Sequence, residues 1–365
     1  MAKPIRILCV MSTLDRGGAE SMCMNLYRHI DRNKVQFDFV KHTRRTCAFE
    51  DEIIKLGGTI YTAPRYYAFN YVKYNNWWKR FLTNHPEYKV IHGHYFTISY
   101  IYFKIAHKFG RITIGHSHSS KPMHNSLKFW LKRALVKKVE EQSDYCLACS
   151  REAGAYLFPH KDFFVLNNAI DLSLYKYDAH VRKEVRNSLG ITDETLVIGA
   201  CGSFSIPKNP LGIIDIFSSV YKRHRAAKLL WVGDGDLRQD VETKIKKEGL
   251  ESEIILTGIR SDVSRLYQAM DIFILPSLWE GLALVSIEAQ AAGLPCLFSS
   301  NVTKECDITG MCQFLPINSP NLWADRILAC NTDRTDTSGK LRMAGYDIDQ
   351  TAKWLSEFYW QIQNS

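Results

Sequence analysis

Two glutamates eight residues apart, Glu280 and Glu288, are the residues of this chain best placed to do chemistry. Glu280 stands in the loop Ser277 to Gly281. Glu288 lies inside the apolar run Leu284, Val285, Ile287, Ala289, Ala291 and Ala292. That run reads as an apolar helix, stopped by Gly293 and Pro295. At about 1.5 Å per helical residue, the two carboxylates fall on the order of 10 Å apart. Such a separation suits the two ends of one elongated polar ligand better than one metal ion. Between them, the free N–H groups near Ala283, Leu284 and Val285 open the helix and can hold a phosphate.

The run before the loop, Ile272 to Pro276, is short and apolar, as a buried parallel strand is. Pro276 ends it. Glu280 therefore sits at the carboxyl end of a strand, where open parallel sheets bind ligands.

The first half repeats that strand–turn–helix rhythm. Ile5 to Met11 is a strand, Asp15 to Glu20 (D-R-G-G-A-E) a turn, and Met22 to Tyr27 a helix, the opening of a Rossmann-like unit. Gly17 and Gly18 let backbone approach a ligand closely, although G-x-G-x-x-G is absent. Further strands are expected at Val35–Val40, Thr59–Thr62, Val90–His94, Arg111–His118, Tyr145–Ala148 and Phe164–Asp171. His116, His118 and His124 cluster in sequence, but no acid or Cys completes a metal set, and no metal is expected. The lone C-x-x-C of Cys146 and Cys149 reads as part of a strand. Residues 172–194 are polar and read as a linker. A second sheet starts at Leu196–Cys201, followed by G-S-F-S-I-P-K-N-P from Gly202 to Pro210. It continues through Lys228–Val232, Ile254–Leu256 and Ile272–Pro276 to Cys296–Ser299, its last clear strand. Residues 345–365, rich in Trp and Tyr, form a final helix.

With 365 residues, 46% of them hydrophobic, two domains and two cores are expected. No run of 18 uncharged apolar residues crosses a membrane, and the N-terminus reads as a strand rather than a signal peptide. Ten cysteines, mostly in apolar segments, fit reduced thiols in a cytosol. The charge is uneven. Residues 1–180 carry 27 Lys+Arg against 15 Asp+Glu, and residues 181–365 carry 20 against 23. A basic first half has two aromatic or amphipathic stretches, 65–81 and 128–138, that suit an anionic membrane surface. The bland reading of 65–81 is a helix turning its aromatics inward. No motif supports nucleic acid as a partner.

The segment E-G-L-x-L-V-x-I-E-A-x-A-x-G-L-P, Glu280 to Pro295, resembles the E-x7-E signature of glycosyltransferase family 4. The likeness runs over nearly the whole chain, strongest from 196 to 310, and leans toward the capsular and exopolysaccharide branch. It implies an α/β GT-B fold. Two Rossmann-like domains with parallel sheets would face each other across a cleft. They would span 1–175, with 345–365 crossing back to it, and 190–344. It implies a retaining, metal-independent transfer of a hexose or N-acetylhexosamine. The donor would be a nucleotide sugar, with UDP-sugar expected, and the acceptor a polysaccharide or lipid-linked glycan. No cofactor is implied beyond that co-substrate.

The same resemblance assigns roles. Glu280 contacts donor-sugar hydroxyls and Glu288 the ribose, with Gly281, Leu282, Ala283, Leu284 and Val285 around them. Lys208 and Asn209 match the family's G-R-F-x-x-x-K-N, where Lys holds the donor phosphates; Ser203 stands where Arg is usual. Arg16 or Arg260 could replace that charge. Ile259 and Arg260 frame the base through backbone groups, and Gly17 and Gly18 face the diphosphate. A histidine ending the Arg111–His118 strand, His116 or His118, approaches the sugar; register does not choose between them, and His116 is favoured because it directly ends the apolar run. Ala169 replaces a usual Gly at the domain junction. Two rival readings remain: an epimerase on the same fold, and a sugar-nucleotide-binding subunit weakened by the missing Arg. Localisation is expected in the cytoplasm, peripheral on the inner face of the membrane.

Overall fold

The computed structural model describes residues 3–94, 98–118, 127–280 and 282–364, of which 127–133 by backbone alone. His124 and Gly281 lie outside the described residues. The chain forms two compact units, Met1–Ala169 with Asp347–Ser365, and Ile170–Tyr346.

The first unit is a parallel sheet of seven strands in the order β3-β2-β1-β4-β5-β6-β7. These are β1 Ile5–Met11, β2 Val35–Lys41, β3 Ile60–Thr62, β4 Val90–Gly93, β5 Ile112–Ser117, β6 Tyr145–Ala148 and β7 Phe164–Val165. Alternation along β1 sends Ile7 and Cys9 to one face and Leu8 and Val10 to the other. The first face packs on the helix Gly18–His29 and on the C-terminal helix Ile348–Asn364, through Leu355, Phe358, Tyr359 and Ile362. The other packs on Tyr74, Trp78, Phe81 and Leu82 of the helix Tyr71–Asn84 and on Tyr102 and Phe103. Both faces are covered, which is why the strands read as continuous apolar runs.

The aromatic stretch 65–81 thus divides. Tyr74, Trp78 and Phe81 turn inward, whereas Phe69 and Val72 are 89% and 68% exposed, beside half-exposed Tyr67 and Tyr71. The 128–138 stretch lies in the helix Leu127–Glu141. Among the described residues, no helix is long and apolar enough to cross a membrane.

The second unit is a six-stranded parallel sheet ordered β10-β9-β8-β11-β12-β13. Its strands are β8 Leu196–Cys201, β9 Ala227–Val232, β10 Ile254–Leu256, β11 Ile272–Leu275, β12 Cys296–Ser299 and β13 Cys312–Leu315. Strand order reverses between β8 and β11, and ligands of open parallel sheets bind at the carboxyl ends beside such a reversal.

Two expectations are corrected here. Residues 172–194 are not a linker: Leu172–Tyr175 and Ala179–Ser188 are helices of the second unit, with Val185 and Ile191 in its core. Their charge is absorbed by Asp271. Its carboxylate receives Arg182 at 2.5 Å, buried Arg186 at 2.7 Å and the Val197 N–H at 2.7 Å. A buried charge cluster, fully hydrogen-bonded, looks like solvated linker in a sequence. The sheet also gains β13 beyond Cys296–Ser299. It is an edge strand, half-buried in part, so its apolar signal is weak.

Candidate active site

Neighbouring strands β8 and β11 each end in a loop, and the two loops are stitched together. The Leu278 N–H donates to Pro207 O at 2.8 Å, and Asn209 Nδ2 donates to Pro276 O at 3.1 Å. Asn209 holds φ 53° and ψ 53°, a left-handed conformation that Asn tolerates better than most side chains. It ends the turn Ile206–Lys208 and starts the helix Pro210–Tyr221, whose first position takes proline. This corner aims Lys208 at Glu280. The Lys208 Nζ pairs with the Glu280 carboxylate, and Ser277 Oγ donates to the same oxygen at 3.3 Å. Both partners are about one-fifth exposed, so the pair can be reached from solvent.

Glycine is obligatory beside this corner. Gly233, at the end of β9, has φ 145°, and an added Cβ would lie 2.0 Å from Gly202 O. A Cβ on Gly235 would meet the Phe204 backbone at 2.8 Å. The G-D-G turn and the G-S-F turn pack backbone on backbone, leaving the carboxyl edge of β8 and β9 free of side-chain bulk.

The helix Leu284–Ala291 follows, begun at Ala283 with no side-chain cap. Its first N–H groups point out of the helix, a natural seat for an anion. One turn in, Glu288 accepts a hydrogen bond from Tyr267 Oη at 3.0 Å, and Tyr175 packs on that tyrosine beside it. Enclosure raises the Glu288 pKa above the usual carboxylate value, against the lowering effect of both phenols. Sequence reasoning missed both tyrosines. Tyr175 lay in the supposed linker, and nothing local marks Tyr267 as facing Glu288.

Ser203 is exposed, its hydroxyl 2.9 Å from that of Ser205. Ile259 is exposed, and Arg260 is taken by a two-pronged pair with Asp262 at 2.7 and 2.8 Å. Ala283 is buried; Leu282, Leu284 and Val285 are half-buried.

In the first unit, Gly17 caps the helix Gly18–His29 with φ −91°, extended backbone open to any residue. A Cβ there would meet only the carboxylate end of the flexible Glu20 side chain, at 2.3 Å, which can swing aside, and Gly18 faces open space. His116 is buried and His118 half-buried just past the end of β5. They do not stand alone. His92 and His94, at the end of β4, lie on the same sheet face, and four imidazoles stack together. His92 Nε2 lies 3.1 Å from His116 Nδ1, and His94 Nδ1 lies 2.8 Å from His118 Nε2. Burial pushes all four down, His92 to about 3 and His118 to about 4, so the rings are neutral near pH 7.

Known proteins place this architecture. The model described as glycosyl transferases group 1 matches residues 195–333, and that described as Glycosyltransferase Family 4 matches residues 16–174. The chain belongs to the family 4 glycosyltransferases. The putative glycosyltransferase EpsF of Bacillus subtilis is 29% identical over 97% of this chain and 96% of its own. An Escherichia coli UDP-Gal:alpha-D-GlcNAc-diphosphoundecaprenol alpha-1,3-galactosyltransferase is 30% identical over 41% of this chain and 40% of its own. The structure of Anabaena HepE in complex with UDP superposes with a TM-score of 0.79 at 17% identity, covering 98% of this chain and 100% of that one. The fold is therefore GT-B, and this family 4 protein is a glycosyltransferase of polysaccharide biosynthesis.

Proposed function

We propose that this enzyme transfers a hexose or N-acetylhexosamine from a UDP-sugar to a polysaccharide or lipid-linked oligosaccharide acceptor, with retention at the anomeric carbon. The observation that carries the reading is the Lys208–Glu280 pair beside the uncapped helix Leu284–Ala291. An ammonium touching a carboxylate suits a ligand whose anionic and hydroxyl-rich halves adjoin, as they do in a glycosyl phosphate.

In this reading Lys208 releases Glu280 when donor binds and turns to the diphosphate. The free N–H groups of Leu284 and Val285 share that charge, which grows as the glycosyl bond breaks. Asn209 keeps the loop in place. Glu280 accepts from sugar hydroxyls, and Glu288 accepts from the ribose, oriented by Tyr175 and Tyr267. Ile259 and Arg260 border the base through their backbone. With Arg260 held by Asp262, Ser203 leaves the phosphates to Lys208 and the helix end. Within the first unit, half-buried His118 is more open to a ligand than buried His116, and Gly18 faces open space. The UDP in the HepE complex and the diphosphoundecaprenol acceptor in the name of the E. coli relative support the donor and acceptor classes. A peripheral stay on an anionic membrane is supported by exposed Phe69 and Val72 near Arg65 and Lys73.

Calorimetric titration with UDP, GDP and ADP tests the donor class. UDP is expected to bind, and at least tenfold more weakly to Glu288→Ala. Preference for GDP or ADP, or UDP binding indifferent to Glu288, would overturn the reading.

A further inference from the structure

We propose that a cavity at the edge of the first sheet holds a neutral glycan, the already built part of the acceptor chain, on residues separate from those of the donor site. The inference rests on the acceptor class proposed above. The cavity offers about 340 Å³ between β6, the edge strand β7 and the C-terminal helix Ile348–Asn364. Pockets that hold small ligands start at about this size. Its walls belong to the first unit, whereas Lys208, Glu280 and Glu288 belong to the second.

Helix spacing builds one wall. Trp354, Glu357, Phe358 and Gln361 stand at i, i+3, i+4 and i+7, so they share a face. The Trp354 and Phe358 rings are stacked, with centroids 5.2 Å apart and planes 9° from parallel. Phe164, the first residue of β7, leans across both, 5.8 Å from Trp354 and 5.7 Å from Phe358. Tyr145, the first residue of β6, meets Phe358 edge-on at 5.5 Å. These contacts bury Phe358, yet Trp354 stays 36% and Phe164 51% exposed. Two large rings are thus held in place by other rings and still face water. Leaving them there forgoes hydrophobic stabilisation that a ligand recovers.

The chemistry of the walls selects the ligand. Aromatic faces carry partial negative charge and attract the C–H groups that line one face of a pyranose ring. Glu357 and Gln361, both exposed, can accept from and donate to the hydroxyls round its edge. The lining residues include an acid, Glu357, and no cation. A phosphate or sulfate group is repelled there, which turns away nucleotides and anionic headgroups. An alkyl chain would cover the carboxylate and the amide without pairing them. A sugar of a neutral polymer, apolar on its face and hydroxylated at its rim, satisfies rings and polar groups together. Anchoring the chain raises the effective concentration of its reactive end, so the benefit appears in KM for long acceptors rather than in kcat.

The test is calorimetric titration of the full-length protein, in excess UDP, with neutral hexasaccharides of glucose, galactose, mannose and N-acetylglucosamine. At least one is expected to bind. Binding should weaken about tenfold in Trp354→Ala and in Phe164→Ala, the worth of one stacked ring. Glu357→Ala and Gln361→Ala alter exposed polar side chains, so they leave folding untouched, and each should weaken binding several-fold. The control Met343→Ala, exposed in the second unit, should change nothing. In transfer assays Trp354→Ala should raise KM for a long acceptor about tenfold with kcat unchanged, and leave KM for a single-sugar acceptor where it was. UDP binding is read on its own, so its failure contradicts the donor reading alone. Hexasaccharides that do not bind, hexasaccharides that bind every variant alike, or a long-acceptor KM unmoved in Trp354→Ala would each overturn this proposal.

Discussion

Tyr267 donates its phenol to the Glu288 carboxylate at 3.0 Å, holding the second acid of the E-x7-E segment from a helix 21 residues earlier. The contact orients Glu288 but does not relieve its burial, and the carboxyl keeps its proton to a higher pH than an exposed one.

The sign of that shift gives a stability prediction. As pH rises past about 4.5, the unfolded chain gives up this proton before the folded one does, so folding stability is lost on the way up. Glu288→Gln keeps the shape and an acceptor oxygen for Tyr267. It is expected to melt higher than wild type at pH 7, with the gap closing below the ordinary carboxylate pKa. The same change should weaken UDP binding roughly tenfold or more, the worth of a charged hydrogen bond. Thermal melts at pH 4 and 7 with UDP titrations check both halves.

Ser203 offers a gain of function. The site is exposed, and a guanidinium there could form a two-pronged phosphate contact. Ser203→Arg should tighten UDP binding by roughly tenfold. Calorimetry on the purified variant reads this directly.

Much of this site was legible in the residues. Periodicity and breakers gave the β11–loop–helix corner, because Pro276, Gly293 and Pro295 punctuate an otherwise apolar stretch. The polar lining was not legible. Arg182, Arg186 and Asp271 looked solvated because sequence does not reveal that three charges pair inside a core. Tyr175 and Tyr267 reach Glu288 only through tertiary packing. The histidines behaved the same way: His116 and His118 were visible as a pair, but His92 and His94 join them only once β4 and β5 lie side by side.

Backbone contact between turns makes Gly233 a stability determinant. Gly233→Ala sets a methyl 2.0 Å from Gly202 O at a φ that side chains avoid. The cost should be at least about 3 kcal/mol, combining strain and overpacking. Urea unfolding followed by circular dichroism checks it. Gly18→Ala, which meets open space, should change stability by less than about 1 kcal/mol.

Exposed aromatics should carry membrane contact. Phe69→Asp with Val72→Asp is expected to cut flotation with anionic vesicles several-fold while leaving the fold intact, since both side chains face solvent. Wild-type protein that stays below the vesicles would contradict this.

The most direct measurement is transfer itself, with labelled UDP-hexoses and UDP-N-acetylhexosamines offered alongside a diphosphoundecaprenol-linked glycan. Wild type is expected to release UDP and make an α-linked product, with Lys208→Ala slower by about 10²–10³. A β-linked product, or transfer undiminished in Lys208→Ala, would contradict the account.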